Sequence, residues 1–323
     1  MSTRLSIQPT NVTFPNHFTS MAGHLFAPPN MEKTTKYPAL VVAHPFGGVK
    51  EQTAGIYAGR MAEKGYVTLA YDASHQGESG GYPRDTENPA ERMEDIRCAI
   101  DYLTTLPMVD GDRIGLLGIC AGGSYSLAVA ATEVRAKAIA SVSLWDLGMM
   151  AREGFPSPYD RTKVLLDIGK QRTSEARGET IRRDLSFLKE KPKNLPQIIE
   201  ESYDYYRTPR AQHPNSRSVF VFTDFARLMD FNYYWQIESI SPRPVLFIVG
   251  TEAATLFMSK AGYERAKQPK EWFEIQGATH HRLYDDEAAV GKAIAKLEEF
   301  FGRNLSLSPD RSAVPRELEP SLR

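Results

Sequence analysis

The sequence is poor in cysteine and contains no long apolar run. Its 323 residues include two cysteines, Cys98 and Cys120, which are too few for a disulfide framework and are typical of a reducing compartment. No stretch approaches the length of a membrane span, and residues 1–16 lack the apolar centre of a signal peptide. We therefore expect a cytoplasmic protein with no membrane partner.

An excess of charge of one sign is also missing. The chain carries 39 Lys and Arg against 40 Asp and Glu, and its basic residues are scattered. This balance excludes a broad basic field and predicts no nucleic-acid partner. Metal-ligand spacings and a G-x-G-x-x-G turn after a strand are absent, so we expect no metal and no cofactor. The expected partner is a small molecule, and a homodimer is compatible with the sequence.

Short apolar segments alternate with helical patterns along most of the chain. Asn88 can cap a helix that has Pro89 in its first turn, and a similar amphipathic pattern occupies the last predicted helix. This alternation predicts an α/β fold with a mostly parallel, doubly wound sheet. The predicted strands are Ser20–Phe26, Ala39–His44, Val67–Tyr71, Ile114–Gly118, Ala138–Trp145, Val245–Val249 and Trp272–Ile275.

The alternation stops between about Gly148 and Pro242. This segment is rich in Arg, Lys, Glu, Tyr and Pro, with helical patterns at Arg161–Gln171 and Ser174–Glu190. Because long insertions in compact domains usually serve as lids or binding elements, we interpret 148–240 as a helical cap. The predicted core then comprises 1–147 and 241–303, and the polar, proline-containing segment 304–323 is predicted to be a flexible tail.

The strongest local motif is Gly118-Ile119-Cys120-Ala121-Gly122. It joins an apolar strand to a helical segment, and this strand–turn–helix context is typical of a nucleophile elbow. The glycines favour a strained turn, and the helix start is expected to stabilise a thiolate and lower the pKa of Cys120 below about 8.5. Cys98 lies on a predicted helix outside such a turn and is interpreted as an inert thiol.

A glycine loop follows the second predicted strand. In folds with a nucleophile elbow, this loop and the residue after the nucleophile supply the backbone N–H groups of the oxyanion hole. These positions are Phe46 and Ala121. His44 precedes Phe46 in the loop; it is a candidate for substrate contact, although a structural role in holding the loop is the commoner one.

A base and an acid are sought in the loops after later strands. The base is His280 or His281, which both follow the last predicted strand. For the acid we favour Asp146, at the end of the sixth strand, over Glu252 after the seventh. A cysteine needs this acid less than a serine does, because its thiol ionises more easily.

The predicted cap holds many aromatic residues, which form either a small core of their own or an apolar substrate pocket. We predict that some of them bind the substrate. The substrate-binding candidates are Tyr233, Tyr234 and Trp235.

Four motifs together resemble the dienelactone-hydrolase-like group of the α/β-hydrolase superfamily, in the polyketide-transferase-like branch with a cysteine nucleophile. The motifs are His44–Thr53, Asp72–Gly81, Gly118–Gly123 and Gly277–Asp285, and the similarity spans Ser20–Asp285. The resemblance implies an α/β-hydrolase fold, a Cys–His site, no cofactor and an acyl substrate, and it favours His280 over His281. Ala253 and Ala254 depart from members that carry an Asp in that loop.

These observations predict an enzyme in which Cys120 attacks an acyl carbonyl and His280 moves the proton. Water would then complete hydrolysis of an ester, thioester or lactone. A dedicated acyltransferase or polyketide transferase with the same Cys–His site is the alternative. A non-catalytic ligand-binding homologue is a third interpretation, against which the intact Cys120 and His280 argue.

Overall fold

The fold was taken from a computed structural model, which describes residues 6–306 except 18, 33, 157, 192 and 193. Most of the predicted tail therefore lies outside the described residues. The last helix ends at Asn304, and Leu305 is buried against the core, so the core includes residues beyond the predicted boundary at 303.

The described residues form a central sheet of eight strands in the order β1-β2-β4-β3-β5-β6-β9-β10. The first two pairings, β1 with β2 and β2 with β4, are antiparallel, and all the others are parallel. The mostly parallel sheet predicted from the sequence is thus confirmed. The strands are β1 Thr10–Asn16, β2 Thr19–Phe26, β3 Tyr37–Ala43, β4 Val67–Tyr71, β5 Val109–Ile119, β6 Ala136–Val142, β9 Val245–Gly250 and β10 Lys270–Ile275.

Helices connect the parallel strands and cover the sheet. The second helix begins at Pro89, where the Asn88 side chain accepts a hydrogen bond from the Ala90 N–H, as its sequence predicted. The last helix is capped in the same way by Asp286. The helices that follow the sheet strands are α1 Thr53–Ala62, α2 Pro89–Thr105, α3 Ala121–Ala130, α8 Leu256–Arg265, α9 Arg282–Asp285 and α10 Glu287–Asn304.

The chain between β6 and β9 forms an insertion, which we call the cap segment (residues 148–240). Its second predicted helix, Ser174–Glu190, is wrong: the helix that begins at Arg161 ends at Ala176, and a strand follows at Arg183. The elements here are α4 Leu147–Glu153, α5 Arg161–Ala176, β7 Arg183–Leu185, α6 Gln197–Tyr206, β8 Val219–Val221, α7 Asp224–Asp230 and a one-turn 3₁₀ helix at Ile237–Ile240. Strands β7 and β8 pair with each other in an antiparallel ribbon.

The carboxyl ends of the parallel strands position the predicted site. Cys120 directly follows β5, Asp146 lies just beyond β6, and the loops after β9 and β10 carry Glu252 and His280. Such edges are where open α/β sheets bind ligands. Among the described helices, none combines the length and the apolar character that crossing a membrane requires.

Candidate active site

Cys120 occupies a strained turn between β5 and α3. Its backbone has φ 57° and ψ −122°, which is an unusual conformation for a residue other than glycine. A Cβ at Gly118 would lie 2.2 Å from the Gly122 carbonyl oxygen, and one at Gly122 would lie 2.2 Å from that of Ala43. Both glycines are therefore required by close backbone approach, and the turn has the geometry of a nucleophile elbow.

Three groups hydrogen bond to the sulfur of Cys120. The backbone N–H groups of Phe46 and Ala121 donate to it, the hydroxyl of Tyr284 is its third hydrogen-bond partner, and all three favour the thiolate. Burial nonetheless dominates and raises the pKa of Cys120 to about 11. The expected lowering of this pKa is therefore wrong, because withdrawing the sulfur from water outweighs the donors and the helix start.

The two N–H groups predicted for an oxyanion hole thus converge on one atom. A carbonyl oxygen attached to a carbon bonded to Cys120 would lie within the same region, as the predicted role requires. The side chain of Phe46 points into the cap segment, where its ring lies 5.5 Å from that of Phe220 and 6.4 Å from that of Phe187. The loop that carries one donor is therefore in contact with the cap.

His44 does not face this site. Its Nδ1 lies 2.7 Å from the Pro45 carbonyl oxygen, and its Nε2 accepts a hydrogen bond of 3.0 Å from the Ala73 N–H. The Arg92 guanidinium packs against the same ring and donates to the His44 carbonyl oxygen. The predicted substrate contact is corrected accordingly: His44 is fully buried and braces the glycine loop.

His280 is fixed by two hydroxyl groups. Its Nδ1 lies 2.7 Å from Oγ1 of Thr255, and its Nε2 lies 3.1 Å from the hydroxyl of Tyr284. Burial lowers the pKa of His280 well below its usual value, with a smaller contribution from the neighbouring His281. The imidazole is therefore neutral at neutral pH and is able to accept a proton.

Asp146 and Glu252 are the two candidates for the acid. Neither forms a hydrogen bond with His280 among those described. Asp146 caps α4 by accepting two backbone N–H groups of its first turn, and its second oxygen has no hydrogen-bond partner there. Burial raises the pKa of Asp146 to about 6. Glu252 is exposed. The position that an acid would take next to Nδ1 is occupied by Thr255, so the acid roles of Asp146 and Glu252 gain no support from the geometry.

His281 is held by the cap segment instead. Its Nδ1 lies 3.5 Å from Oε2 of Glu201 and its Nε2 lies 3.3 Å from Oγ of Ser202, both on α6. Burial lowers the pKa of His281, and the Glu201 carboxylate opposes that effect. The two adjacent histidines thus have separate sets of partners.

Cys120 opens into a cavity of about 360 Å³ between the sheet edge and the cap segment. His281 and Tyr284 line the cavity, whereas His280 is not among the lining residues and is hydrogen-bonded to Tyr284. The lining is mostly apolar and comprises Phe46, Cys120, Trp145, Leu147, Met150, Pro156, Leu185, Ser186, Phe187, Leu188, Leu195, Ile199, Ser202, Tyr206, His281 and Tyr284. Its shape and chemistry suit an uncharged, largely apolar group.

The three cap aromatics predicted to bind substrate lie elsewhere. Tyr233 is buried and its hydroxyl donates to the Met258 carbonyl oxygen at 2.6 Å. Trp235 is 71% exposed, and it lines a separate surface depression together with Tyr233. The ring of Tyr234 packs against Tyr233 and the Arg265 guanidinium. The turn after α7 therefore packs on α8, away from Cys120, and cap aromatics nearer the ribbon line the cavity.

Two groups of potential metal ligands occur among the described residues. In one, the ammonium of Lys50 already lies between three carboxylates, at 2.7 Å from Glu51, 2.8 Å from Asp72 and 2.6 Å from Glu78. This single cation offsets part of the negative charge of the cluster and ties the glycine loop to the loop after β4. The other group combines His17, from the turn between β1 and β2, with Glu94 and Cys98 of α2.

Sequence reasoning assigned no role to Thr255 and Tyr284. Thr255 lies in the loop after β9, where an acid was sought, and a search for any hydrogen-bonding side chain would have included it. Tyr284 follows His280 by four residues, a spacing that places two side chains on one face of a helical turn. Both signals were present in the sequence, but neither residue type is distinctive.

Comparison with known proteins places this site in a family. The family model for X-Pro dipeptidyl-peptidase (S15 family) matches residues 19–280, which include Cys120 and His280. The chain belongs to the S15 family. Its structural neighbours are α/β-hydrolases, which confirms the predicted fold class. The family and its relatives are hydrolases and acyltransferases, so the chain is an enzyme of this broad class.

Individual relatives extend over nearly the whole chain. Escherichia coli YcjY is 41% identical over 292 residues, 88% of this chain and 95% of that protein. The crystal structure of Pseudomonas aeruginosa PA2218 superposes with a TM-score of 0.87 at 35% identity, covering 93% of this chain and 95% of the other. Acyltransferase drtE of Aspergillus calidoustus is 26% identical over 276 residues, 82% of this chain and 86% of its own. Others at low identity are named polyketide transferase and thiohydrolase.

Proposed function

We propose that this protein is an acyl hydrolase that cleaves an ester, thioester or lactone through a thioester intermediate on Cys120. The observation that carries the proposal is the convergence of two backbone N–H groups and a buried thiol at one end of an apolar cavity. A cysteine in a strained elbow beside such donors is suited to attack a carbonyl and hold the oxyanion that forms. Relatives named for acyl transfer and thioester hydrolysis support this chemistry.

The proposed reaction needs only the groups of the site, the substrate and water. The sulfur bonds to the acyl carbon as the thiol proton passes to His280, and the carbonyl electron pair moves onto an oxygen held by the N–H groups of Phe46 and Ala121. The tetrahedral species collapses, and the leaving group departs with the proton from His280. Water then attacks the thioester, loses a proton to the same histidine, and releases the acid and the free thiol.

The lining of the cavity favours an acyl substrate over a peptide. An unblocked peptide has a cationic amino terminus, and binding it inside a cavity requires a compensating carboxylate. The residues described around this cavity include no Asp or Glu. We therefore propose an apolar acyl chain as the substrate rather than the dipeptide that the family name suggests.

Transfer of the acyl group to an alcohol or amine is the second candidate. It is favoured by the burial of Cys120, which is 4% exposed, and by the apolar walls, which together limit the access of water. The two outcomes share the acylation half-reaction. They differ only in which acceptor reaches the thioester, so adding acceptors to a hydrolysis assay and measuring product partition distinguishes them.

The decisive experiment is to trap the thioester. Incubation with p-nitrophenyl esters and acyl-N-acetylcysteamine thioesters of increasing chain length should add one acyl mass, mapped by peptide mass spectrometry to Cys120. Cys120→Ala should remain folded and lose turnover completely, whereas Cys98→Ala, a change at the other buried thiol, should leave rates unchanged. Wild-type turnover in Cys120→Ala would refute the mechanism. Tight binding of the esters without any adduct would favour a ligand-binding homologue.

A further inference from the structure

Tyr284 lies between the two groups that acyl transfer requires. Its hydroxyl is 3.1 Å from Nε2 of His280 and also hydrogen bonds to the sulfur of Cys120. No direct contact between that sulfur and His280 occurs among the described interactions. The hydrogen bonds described for these groups therefore connect the sulfur and the imidazole through a tyrosine hydroxyl.

The tyrosine ring is held rigidly in this position. Its backbone N–H donates to the His281 carbonyl oxygen at 3.1 Å, and its own carbonyl oxygen accepts from the Thr53 hydroxyl at 3.0 Å. The ring packs edge-on against Tyr205, with 4.9 Å between centroids, and is 1% exposed. These contacts come from core and cap and hold the ring with its hydroxyl oxygen beside Cys120 and His280.

The donors and acceptors of the four side chains involved are consistent with this connection. The Thr255 hydroxyl, 2.7 Å from Nδ1 of His280, accepts the Nδ1 proton and leaves the lone pair on Nε2. A tyrosine hydroxyl has one proton to give and lone pairs to accept another. When Nε2 carries the lone pair, the tyrosine O–H donates to it and the tyrosine oxygen accepts from the S–H; its second lone pair is left for the Tyr206 hydroxyl, which also hydrogen bonds to Tyr284.

We propose that Tyr284 is a catalytic residue that relays the proton between Cys120 and His280; the inference rests on the proposed acyl transfer. As sulfur bonds to the acyl carbon, its proton moves to the tyrosine oxygen, and the tyrosine proton moves to Nε2. The reverse transfer returns a proton to the sulfur when the thioester is cleaved. No other reactant is needed, and the tyrosine ends each step neutral.

The electrostatics of the site require the two transfers to be coupled. Burial raises the pKa of Tyr284 well above its usual value, so a phenolate is not a stable intermediate. Burial likewise disfavours the free thiolate of Cys120. A coupled transfer forms negative charge only on the acyl oxygen, where the two backbone N–H groups lie, and positive charge only on the imidazole.

The test compares Tyr284→Phe with Tyr205→Phe. Tyr205 is the neighbouring buried ring, and its hydroxyl bonds to neither Cys120 nor His280 among the described hydrogen bonds, so Tyr205→Phe makes the same chemical change outside the relay. Rapid-mixing measurement of thioester formation should show a loss of about 100-fold or more in Tyr284→Phe, the usual contribution of a proton-transfer group. KM should change less than threefold, and Tyr205→Phe should acylate at the wild-type rate.

A second measurement counts the moving protons. In H₂O–D₂O mixtures the acylation rate of the wild type should curve downward with deuterium content, as two coupled transfers require, and that of Tyr284→Phe should vary linearly. Wild-type or faster acylation in Tyr284→Phe, or a linear dependence in the wild type, would overturn the relay. If Tyr284→Phe does not fold, the wild-type curve alone decides. Absence of any thioester in the wild type would instead refute the proposed function on which the relay rests.

Discussion

His280 and His281 are neighbours in the loop after β10, yet their side chains are bound by different parts of the molecule. His280 is bound by Thr255, from the loop after β9, and by Tyr284, so its position is set by the sheet and its loops. His281 is bound by Glu201 and Ser202, both on a helix of the cap segment. The core therefore positions the side chain of His280, and the cap segment positions that of His281.

This difference suggests separate functions for the two histidines, proton transfer for one and substrate binding for the other. A group that takes part in bond making must keep its geometry to a fraction of an ångström, which packing in the core provides. A group anchored on an insertion moves with it and responds to what enters the cavity. We therefore expect His280 to govern the chemical step and His281 to govern binding.

The largest effect is expected from His280→Asn. Removal of the base should lower kcat about 1,000-fold or more with a small change in KM, because proton transfer from the thiol has no other acceptor. The matched change His281→Asn should lower kcat less than tenfold. Steady-state kinetics with one chromogenic ester checks both variants, and a reversal of the two effects would exchange their roles.

A smaller effect is expected at Thr255. Thr255→Val keeps the shape of the side chain but leaves Nδ1 of His280 buried without a partner, which costs about 1–3 kcal/mol and corresponds to a roughly tenfold or greater loss of kcat. Thr255→Ser should restore most of the activity. Equal activities of the Val and Ser variants would show that the hydroxyl does not orient the base.

Glu201→Gln tests the contact by which the cap segment binds His281. Loss of the carboxylate next to His281 should raise KM several-fold and leave kcat within about twofold, since a single polar contact contributes about 1 kcal/mol. Glu200→Gln makes the same chemical change one residue earlier on α6 and serves as the control. A fall in kcat comparable with that of His280→Asn would mean that the cap contributes directly to the chemistry.

The smallest effect on turnover is expected from Asp146→Asn, which instead changes stability with pH. Because burial raises the pKa of Asp146 to about 6, the folded state loses free energy of unfolding as pH rises from about 4 through 6. The loss is about 3 kcal/mol at 1.36 kcal/mol per pH unit. Asparagine retains a capping oxygen, so the variant should match or exceed the wild type above pH 6, with the difference vanishing near pH 4.

Denaturation curves at pH 4.5, 6 and 7.5 provide the measurement for this variant, with turnover measured on the same samples. The reverse result, a loss of kcat by orders of magnitude at unchanged stability, would return Asp146 to the role of catalytic acid. It would also require a rearrangement that brings this side chain to His280.

Strands and the elbow were predictable from the sequence because their signals are local. Apolar runs identified β2–β6, β9 and β10, and a strand, two glycines and a cysteine identified the turn at Cys120. Strand β1 was missed because Pro15 argues against a sheet; it is tolerated there since β1 is an edge strand paired only with β2. The ribbon β7–β8 was missed because its strands are three residues long and pair across a long loop.

The partners of His280 were not predictable in the same way. The search for an acid considered ionisable side chains alone, while the structure brings a threonine to Nδ1 and a tyrosine to Nε2. The cap aromatics show the same limit. Composition predicted that some line the cavity, and Phe187 and Tyr206 do so, but only the path of the chain separates them from Tyr233 and Trp235.

The aromatic contact between the glycine loop and the cap ribbon has a mechanical consequence. The residue that offers one oxyanion donor, Phe46, is wedged by its ring against Phe220 and Phe187. We expect any movement of the cap that separates these rings to disturb the alignment of the Phe46 backbone N–H as well. The oxyanion site would then be complete only with the cap closed, and a molecule that prevented closure would leave unreacted.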